Sequence, residues 1–408
     1  MQKYWRLLSF ACLFLPSLAR SELLKEFELG HQLADEFNSA VTTNRLYGIA
    51  HFRYDQELSK SSIDNFSLNF ALRGWLASGN DSEATLRAAS GAFITERLKI
   101  QLGFQEIPWG ETFGVYIADI VNPHDLRDPL FNELSWIRLP VFALNTQIFL
   151  NSLTLQGIFT PFARNLLLPK QGSTFDVFTP QLPGAQLQDP SGASLSDFPA
   201  QSEYGGKANY LFDFGLDLAF LYYHHENRNP VYEIQSTAPK VIIAPVQLPI
   251  DTYGMTFSQA LGSYVFRGDL IYNLNEPQGS STLATHTLAN EFQMILGSDV
   301  TYDTGWTIGA QYHLNSLPND LKQWASFRVQ KAILHDRVEL SAFAFVGIDS
   351  TDLWIQPKVS WSIISSLNLS IRADILSNLS GLYGYESPGV LDLIQGKSRV
   401  FTWLSYKF

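Results

Sequence analysis

The chain closes on Arg399-Val-Phe-Thr-Trp-Leu-Ser-Tyr-Lys-Phe408, and every second residue of that stretch belongs to one of two faces. Val400, Thr402, Leu404, Tyr406 and Phe408 take one side; Arg399, Phe401, Trp403, Ser405 and Lys407 take the other. Successive side chains of a strand point to opposite faces, so this is a strand with one wall fit for hydrocarbon. Hydrocarbon offers backbone N–H and C=O groups no water. Strands meet that demand only when their sheet closes on itself, so the expected fold is an all-β, antiparallel transmembrane β-barrel.

Working back, the same period recurs. In Asn65–Leu76, Phe66, Leu68, Phe70 and Leu72 oppose Ser67, Asn69 and Arg73. In Leu98–Gln105, Leu98, Ile100, Leu102 and Phe104 oppose Lys99, Gln101 and Gln105. Leu353–Ile363 and Leu367–Ile375 alternate likewise. The longest run reads Ala208, Tyr210, Phe212, Phe214, Leu216, Leu218, Phe220, Tyr222 on one face, with Lys207, Asn209, Asp213, Gly215 and Asp217 on the other. Read as one strand, it places Tyr210 and Tyr222 about 30 Å apart along a membrane normal, near the span between aromatic girdles. Such a length argues against a soluble sandwich.

Connections alternate in length. Short links fall at Thr95-Glu96-Arg97, Asn151-Ser152, Leu261-Gly262, Leu334-His335-Asp336 and Ser365-Ser366; long ones at about 107–139, 161–204, 238–250, 275–285 and 377–397. Short turns at one end and long loops at the other are the layout of an outer-membrane barrel, whose long loops face outward. Counting with this parity gives about sixteen strands from Asn65, with fourteen to eighteen open. The count includes weak strands at 84–94, 229–237, 251–260 and 323–333 and leaves strand-like Arg45–Tyr54 over.

The expected division is a signal peptide over 1–19, an N-terminal leader over 20–44 and a barrel over 45–408. Lys3 and Arg6 precede the apolar run Leu7 to Leu15 and the small-x-small site Ser17-Leu18-Ala19. Leu24, Phe27, Leu33 and Phe37 fit a loose helical stripe, so the leader reads as a plug, a periplasmic helix or a disordered arm. Cys12, the sole cysteine, lies in the signal and leaves the mature chain no disulfide or thiolate metal site. Removing Lys3 and Arg6 from the 28 basic residues leaves 26 against 39 acids, which argues against nucleic acid as a partner. No cofactor and no metal are expected.

The most specific local motif is Ile107-Pro108-Trp109-Gly110-Glu111, followed by Asp119-Ile120-Val121-Asn122-Pro123-His124-Asp125-Leu126-Arg127. Trp109 suits an interface, Gly110 a sharp bend, and Asn122-Pro123 opens a turn that Asp125 can close. With Gly103-Phe104-Gln105 before it and Pro161-Phe162-Ala163-Arg164 and Leu168-Pro169 after it, the stretch 95–170 resembles a family of proteobacterial outer-membrane barrels known only as a domain of unknown function. Phe104 stands where that family usually has Arg. The resemblance implies an outer-membrane location and passage of lipids or other poorly soluble compounds, with inner-membrane exporters as partners of some relatives. The terminal strand likewise resembles the signal read by the barrel-assembly machinery, with Leu404, Tyr406 and Phe408 as the recognised side chains.

The loop after Trp109 has two readings. It folds into the lumen and narrows it, with Glu111, Asp119, Asp125 and Arg127 facing the permeant; or it caps the barrel through salt bridges such as Asp125 to Arg127. The expected lumen charges are Arg73, Lys99, Arg328, Lys358, Arg372 and Arg399 against Asp213, Asp217, Asp269, Glu291, Glu339 and Asp374. Arg73, Arg372 and Arg399 come together on closure as a positive strip opposite Asp213 and Asp217. Such charges either orient solutes or simply pair across the wall. Tyr222-Tyr223-His224-His225-Glu226 lacks the second helical His of a zinc site, and neither a nucleophile elbow nor a phosphate loop occurs, so no enzyme is expected. The resulting expectation is a porin-like channel for small solutes, in contact with outer-membrane lipid and lipopolysaccharide. The alternative is a conduit for lipids or hydrophobic compounds working with periplasmic and inner-membrane export partners.

Overall fold

A computed structural model describes residues 24–36, 41–57, 65–77, 83–128, 130, 133–167, 186–187, 201–228, 231–237, 240–279, 286–318, 320–350, 352–377 and 398–407. The expected signal peptide, Phe408 and most of the loops 161–204 and 377–397 lie outside the described residues.

The first strands are β1 (Leu24–Glu36), β2 (Val41–Glu57), β3 (Asn65–Ala77), β4 (Glu83–Ile94), β5 (Leu98–Gln105), β6 (Val141–Leu150) and β7 (Leu153–Thr160). The middle of the chain gives β8 (Gln186–Leu187), β9 (Glu203–Leu211), β10 (Leu216–Glu226), β11 (Val231–Ser236), β12 (Ile242–Val246), β13 (Pro249–Leu261) and β14 (Tyr264–Gly279). Then follow β15 (His286–Thr301), β16 (Trp306–Leu317), β17 (Asp320–Ile333), β18 (Val338–Gly347), β19 (Leu353–Ile364), β20 (Leu367–Ser377) and β21 (Arg399–Lys407). Eighteen of these form one antiparallel sheet, and β8, β11 and β12 a small three-stranded one. The large sheet closes through β1, which pairs β2 on one side and β21 on the other; Gly30 stands opposite both Tyr47 and Ser405.

The wall is oily outside and polar inside. Leu68, Phe70, Leu102, Phe220, Phe327 and Ile371 are exposed, whereas Arg73, Thr252, Asp269, Glu291, Asp374 and Arg399 are buried. Tyrosines lie in register near the long-loop end, where Tyr222 pairs Tyr253 and Tyr253 pairs Tyr272. Tyr54, Tyr210, Tyr264, Tyr302, Trp306 and Tyr406 are exposed near the other end. From Tyr264 to Tyr272 along β14 is about 20 Å of height at ~40° tilt, comparable with the ~25 Å apolar band of such barrels.

Three expectations change. The run Lys207–Tyr222 is a hairpin, not one strand: the chain turns at Phe212–Gly215, and Leu211 pairs Asp217. Partners in this hairpin share odd or even numbering, so the alternation passes through the turn undisturbed and conceals it. Gly215, at φ 87°, was the available signal. Tyr222 lies opposite Gly206, so Tyr210 is only four residues, about 13 Å, further along the wall. Conversely, the expected strand 229–237 is β11, outside the barrel wall. The two departures cancel, and sixteen wall strands do follow from Asn65 onward.

The remaining two are β1 and β2, so Leu24–Glu36 is wall, not a plug or helix. Phe27, Leu29 and Leu33 alternate with Glu28, Gly30, Gln32 and Ala34, all four buried. The apparent helical stripe arose because positions 27 and 33 belong to both periods. Gly30 is required by close approach: a Cβ there would lie 2.4 Å from the Tyr47 ring.

Candidate functional site

The connection from β5 to β6, residues 106–140, crosses the lumen and is fixed to the wall on almost every side. Two apolar footings hold it. Ile107, Trp109, Ala118 and Val121 pack against Val141, Ala143, Ile158, Leu221, Tyr223 and Ile271. Trp136 and Ile137, in the one-turn helix α1 (Leu134–Ile137), pack against Ala34, Tyr47, Trp75 and Phe401. These inward apolar residues break the polar-inside rule of the wall where the loop lands. Between them, Asn122 braces the loop: Nδ2 donates to Leu139 O at 2.8 Å and Oδ1 accepts from Ile107 N at 2.7 Å.

Polar bolts complete the attachment. Trp109 is buried, donates from Nε1 to Gln156 Oε1 at 2.9 Å and meets Tyr223 edge to face. Gly110, at φ 97°, makes the bend. At the tip, Asp269 accepts from Glu111 N (3.0 Å) and Thr112 Oγ1 (2.8 Å). Gln311, in the amide orientation that satisfies both atoms, donates to Phe113 O at 2.8 Å and accepts from Phe113 N at 3.1 Å. Arg328 lies 4.2 Å from the Phe113 ring centroid and pairs with Asp299 at 3.0 Å; Asp299 also pairs with Arg267.

The opposite wall holds the rest of the loop. Arg73 donates to Trp136 O at 3.0 Å and lies over the Trp136 and Trp75 rings. Arg372 donates to Leu130 O at 3.2 Å, and Lys358 Nζ to Glu133 at 2.9 Å. Arg399, fully buried, bridges Asp128 and Asp374, each at 2.9 Å. Arg73, Arg372 and Arg399 thus sit beneath the loop and bind its carbonyls and carboxylate. The three arginines do gather on one wall, but they face the loop and not Asp213, which lies in the Phe212–Gly215 turn and is exposed. Asp217 accepts from Asn209, Glu339 accepts from Gln330 at 3.1 Å, and Lys99 is half-buried on β5.

Of the loop's own ionisable groups, Asp119 is buried and pairs with Arg138 at 2.9 Å and His124 at 3.2 Å. Asp125 pairs with Arg127 at 2.6 Å, and Arg127 also reaches Glu83 on β4. Burial alone would raise the Asp125 carboxyl; the hydrogen bonds and charge of Arg127 outweigh it and hold it below the ordinary range. Glu111 is half-buried, and burial raises its carboxyl, with Asp217 and Asp269 adding to the rise and Lys207 and Arg267 opposing it. The sequence reading missed Glu106, Arg87, Asp128, Arg138, Phe113, Arg267, Asp299 and Gln311. No local motif marks them: Arg87 pairs with Glu106 and Arg138 with Asp119 across short separations, while Asp128 and Phe113 meet Arg399 and Gln311 only when distant segments come together.

What the loop leaves free lies on the far side, against β10 and β13–β18. A cavity of about 210 Å3 runs between Gly114–Leu126 of the loop and wall residues including His225, Asn273, Gln293, His313 and Trp324. Among the described residues no group of acids, histidines and cysteines could hold a metal ion.

Comparison with known proteins fits this geometry. The family described as "Protein of unknown function (DUF1302)" matches residues 89–369. No curated protein matches in sequence. Among solved structures, Acinetobacter baumannii OccAB3 superposes with TM-score 0.55 at 9% identity, over 95% of this chain and 99% of that one. The outer membrane protein opdK of Pseudomonas aeruginosa gives 0.54 at 9%, over 94% and 98%. Pseudomonas aeruginosa OccD3 (OpdP) gives 0.55 at 8%, over 95% and 91%. At such identities the likeness concerns the fold, an outer-membrane porin-like barrel.

Proposed function

The chain belongs to the DUF1302 family of proteins of unknown function, and from that premise we propose that it is a porin-like channel of the outer membrane of a Gram-negative bacterium, passing small solutes by diffusion and without catalysis. The observation that supports this most is the division of the lumen. The loop 106–140 crosses the lumen between its two apolar footings and leaves a cavity between Gly114–Leu126 and the wall of β10 and β13–β18. On the short-turn side of the loop tip, Arg267 and Arg328 remain partly exposed to the lumen. A solute path then runs through the cavity, past Glu111–Gly114, and out beside Arg267 and Arg328. The short turns would face the periplasm and the long loops the exterior.

The test is direct. The purified barrel in a planar bilayer should give stable, ohmic current steps and should swell liposomes in the presence of small sugars. A barrel that stays electrically silent and leaves liposomes unswollen would refute the channel reading. The conduit for lipids or hydrophobic compounds, with periplasmic and inner-membrane export partners, would then be the reading to pursue.

A further inference from the structure

The cavity beside the loop has an unusual polar wall. His225 Nε2 meets Thr252 Oγ1 at 2.9 Å, and Thr252 donates to Asn273 Oδ1 at 2.7 Å. Asn273 Nδ2 and Gln293 Nε2 donate to Glu291 at 2.7 Å each, and Asn315 Nδ2 at 2.9 Å. Glu291 is buried, and its carboxylate is answered by three neutral amides and by no cation among the described residues. Neutral donors solvate a carboxylate without cancelling its charge, so its field reaches into the low-dielectric space beside it.

The amides carry further information. A carboxylate only accepts, so the bonds to Glu291 orient each of the three amides with its NH2 toward the carboxylate and its carbonyl oxygen turned away from it. Asn273 spends its oxygen on Thr252. Asn315 Oδ1 has no hydrogen-bond partner among the described residues, and Asn315, Asn273 and Gln293 all line the cavity. Beside them on the same wall, Ile250, Ile295, Trp324 and Phe345 line the same space: Ile295 is two residues along β15 from Gln293, and Trp324 pairs His313 on the neighbouring strand, with the loop Gly114–Leu126 facing them. One stretch of the wall is therefore polar and backed by the Glu291 carboxylate, and the stretch next to it is aliphatic and aromatic; Arg228, which also lines the space, is paired with Glu203. At about 210 Å3 the cavity is smaller than the ~300–1,000 Å3 of drug-sized pockets.

We propose that this cavity is a binding station for a small amphipathic amine, its ammonium group held against the Asn315–Gln293 side in the field of Glu291 and its apolar part against Trp324 and Phe345. This rests on the channel reading and names the class of solute that the path retains. The carboxylate supplies the charge, the amide oxygens supply the acceptors, and the rings supply apolar and cation–π contact.

The test uses three probes of one skeleton, 2-phenylethylamine, 2-phenylethanol and phenylacetate, titrated calorimetrically into the full-length barrel in detergent. The amine should bind, the alcohol more weakly, and the acid least. Glu291→Gln keeps the shape and removes the charge, its amide oxygen still able to accept from Asn273 and Gln293, and should weaken the amine about tenfold or more while leaving the alcohol unchanged. Trp324→Leu should weaken amine and alcohol alike. No heat with the amine, acid bound as tightly as amine, or an amine affinity untouched by Glu291→Gln would each overturn the site. If that variant does not fold, as judged by heat-shifted gel mobility, the ranking of the three probes on the unaltered barrel still decides. Because binding is read without current, a silent barrel that binds the amine would reject the channel and keep the site.

Discussion

At the scale of single residues, the lumen separates two kinds of charge. Arg399, Asp128 and Asp374 are buried and ion-paired with one another; removing one member of such a group leaves a stranded charge and typically costs about 3–5 kcal/mol. Glu111 is different. It is half-buried at the loop tip, with Lys207, Asp217, Asp269 and Arg267 around it, and its carboxyl is raised mainly by burial. Because the folded protein holds that proton at a pH where the unfolded chain has lost it, Glu111 favours the folded loop at low pH and opposes it as pH rises through its raised value. Asp125 has the reverse sign: its contribution is complete above the ordinary aspartate range and disappears only below it. Acidification from neutrality should therefore discharge Glu111 before Asp125, whose pair with Arg127 persists. Reversal potentials in a salt gradient should show cation preference falling over a window that begins above the ordinary glutamate pKa. Glu111→Gln should have no such step; a step that survives this substitution would assign it to another group.

At the scale of elements, strand periodicity was legible and turns were not uniformly so. Asn151-Ser152 and Ser365-Ser366 interrupt the alternation and were readable. Phe212–Gly215 preserves odd-even numbering across the hairpin and was hidden. β1 was unreadable for another reason: its inward face carries Gly30 and Ala34 beneath Tyr47 and the loop, so the polar half of its pattern is diluted. The strand is nevertheless the closure. It pairs along β2 from Leu24 to Asp35 and along β21 from Glu28 to Glu36. Deleting residues 24–36 would leave β2 and β21 with unpaired edges in hydrocarbon, a condition barrels do not sustain. The truncated chain should give no heat-modifiable, protease-resistant barrel. Recovery of a resistant barrel would mean that β2 and β21 can join directly, and β1 would then be dispensable.

At the scale of the whole molecule, the loop 106–140 makes the lumen asymmetric. Its two apolar footings lie on opposite walls, and the bolts of Arg73, Lys358, Arg372 and Arg399 all act from one side. Reversing two of those charges, Arg372→Glu with Arg399→Glu, sets carboxylates against Asp128, Asp374 and the Leu130 carbonyl. The loop should detach on that side, and unit conductance in planar bilayers should rise severalfold, a magnitude reflecting the wider lumen rather than altered selectivity. Unchanged conductance in a folded double variant would show that the bolts do not govern the passage. The sequence alone determined that this is a barrel wall, because a strand repeats its environment every two residues and each segment reports its two sides locally. It also singled out the stretch around Trp109 and Asn122. Which charges meet a solute and which meet the loop was decided only by closure, since Arg399 lies 271 residues from Asp128, and Asp269 lies 158 from Glu111. A local pattern records the face a residue takes, and only the folded chain records what stands in front of that face.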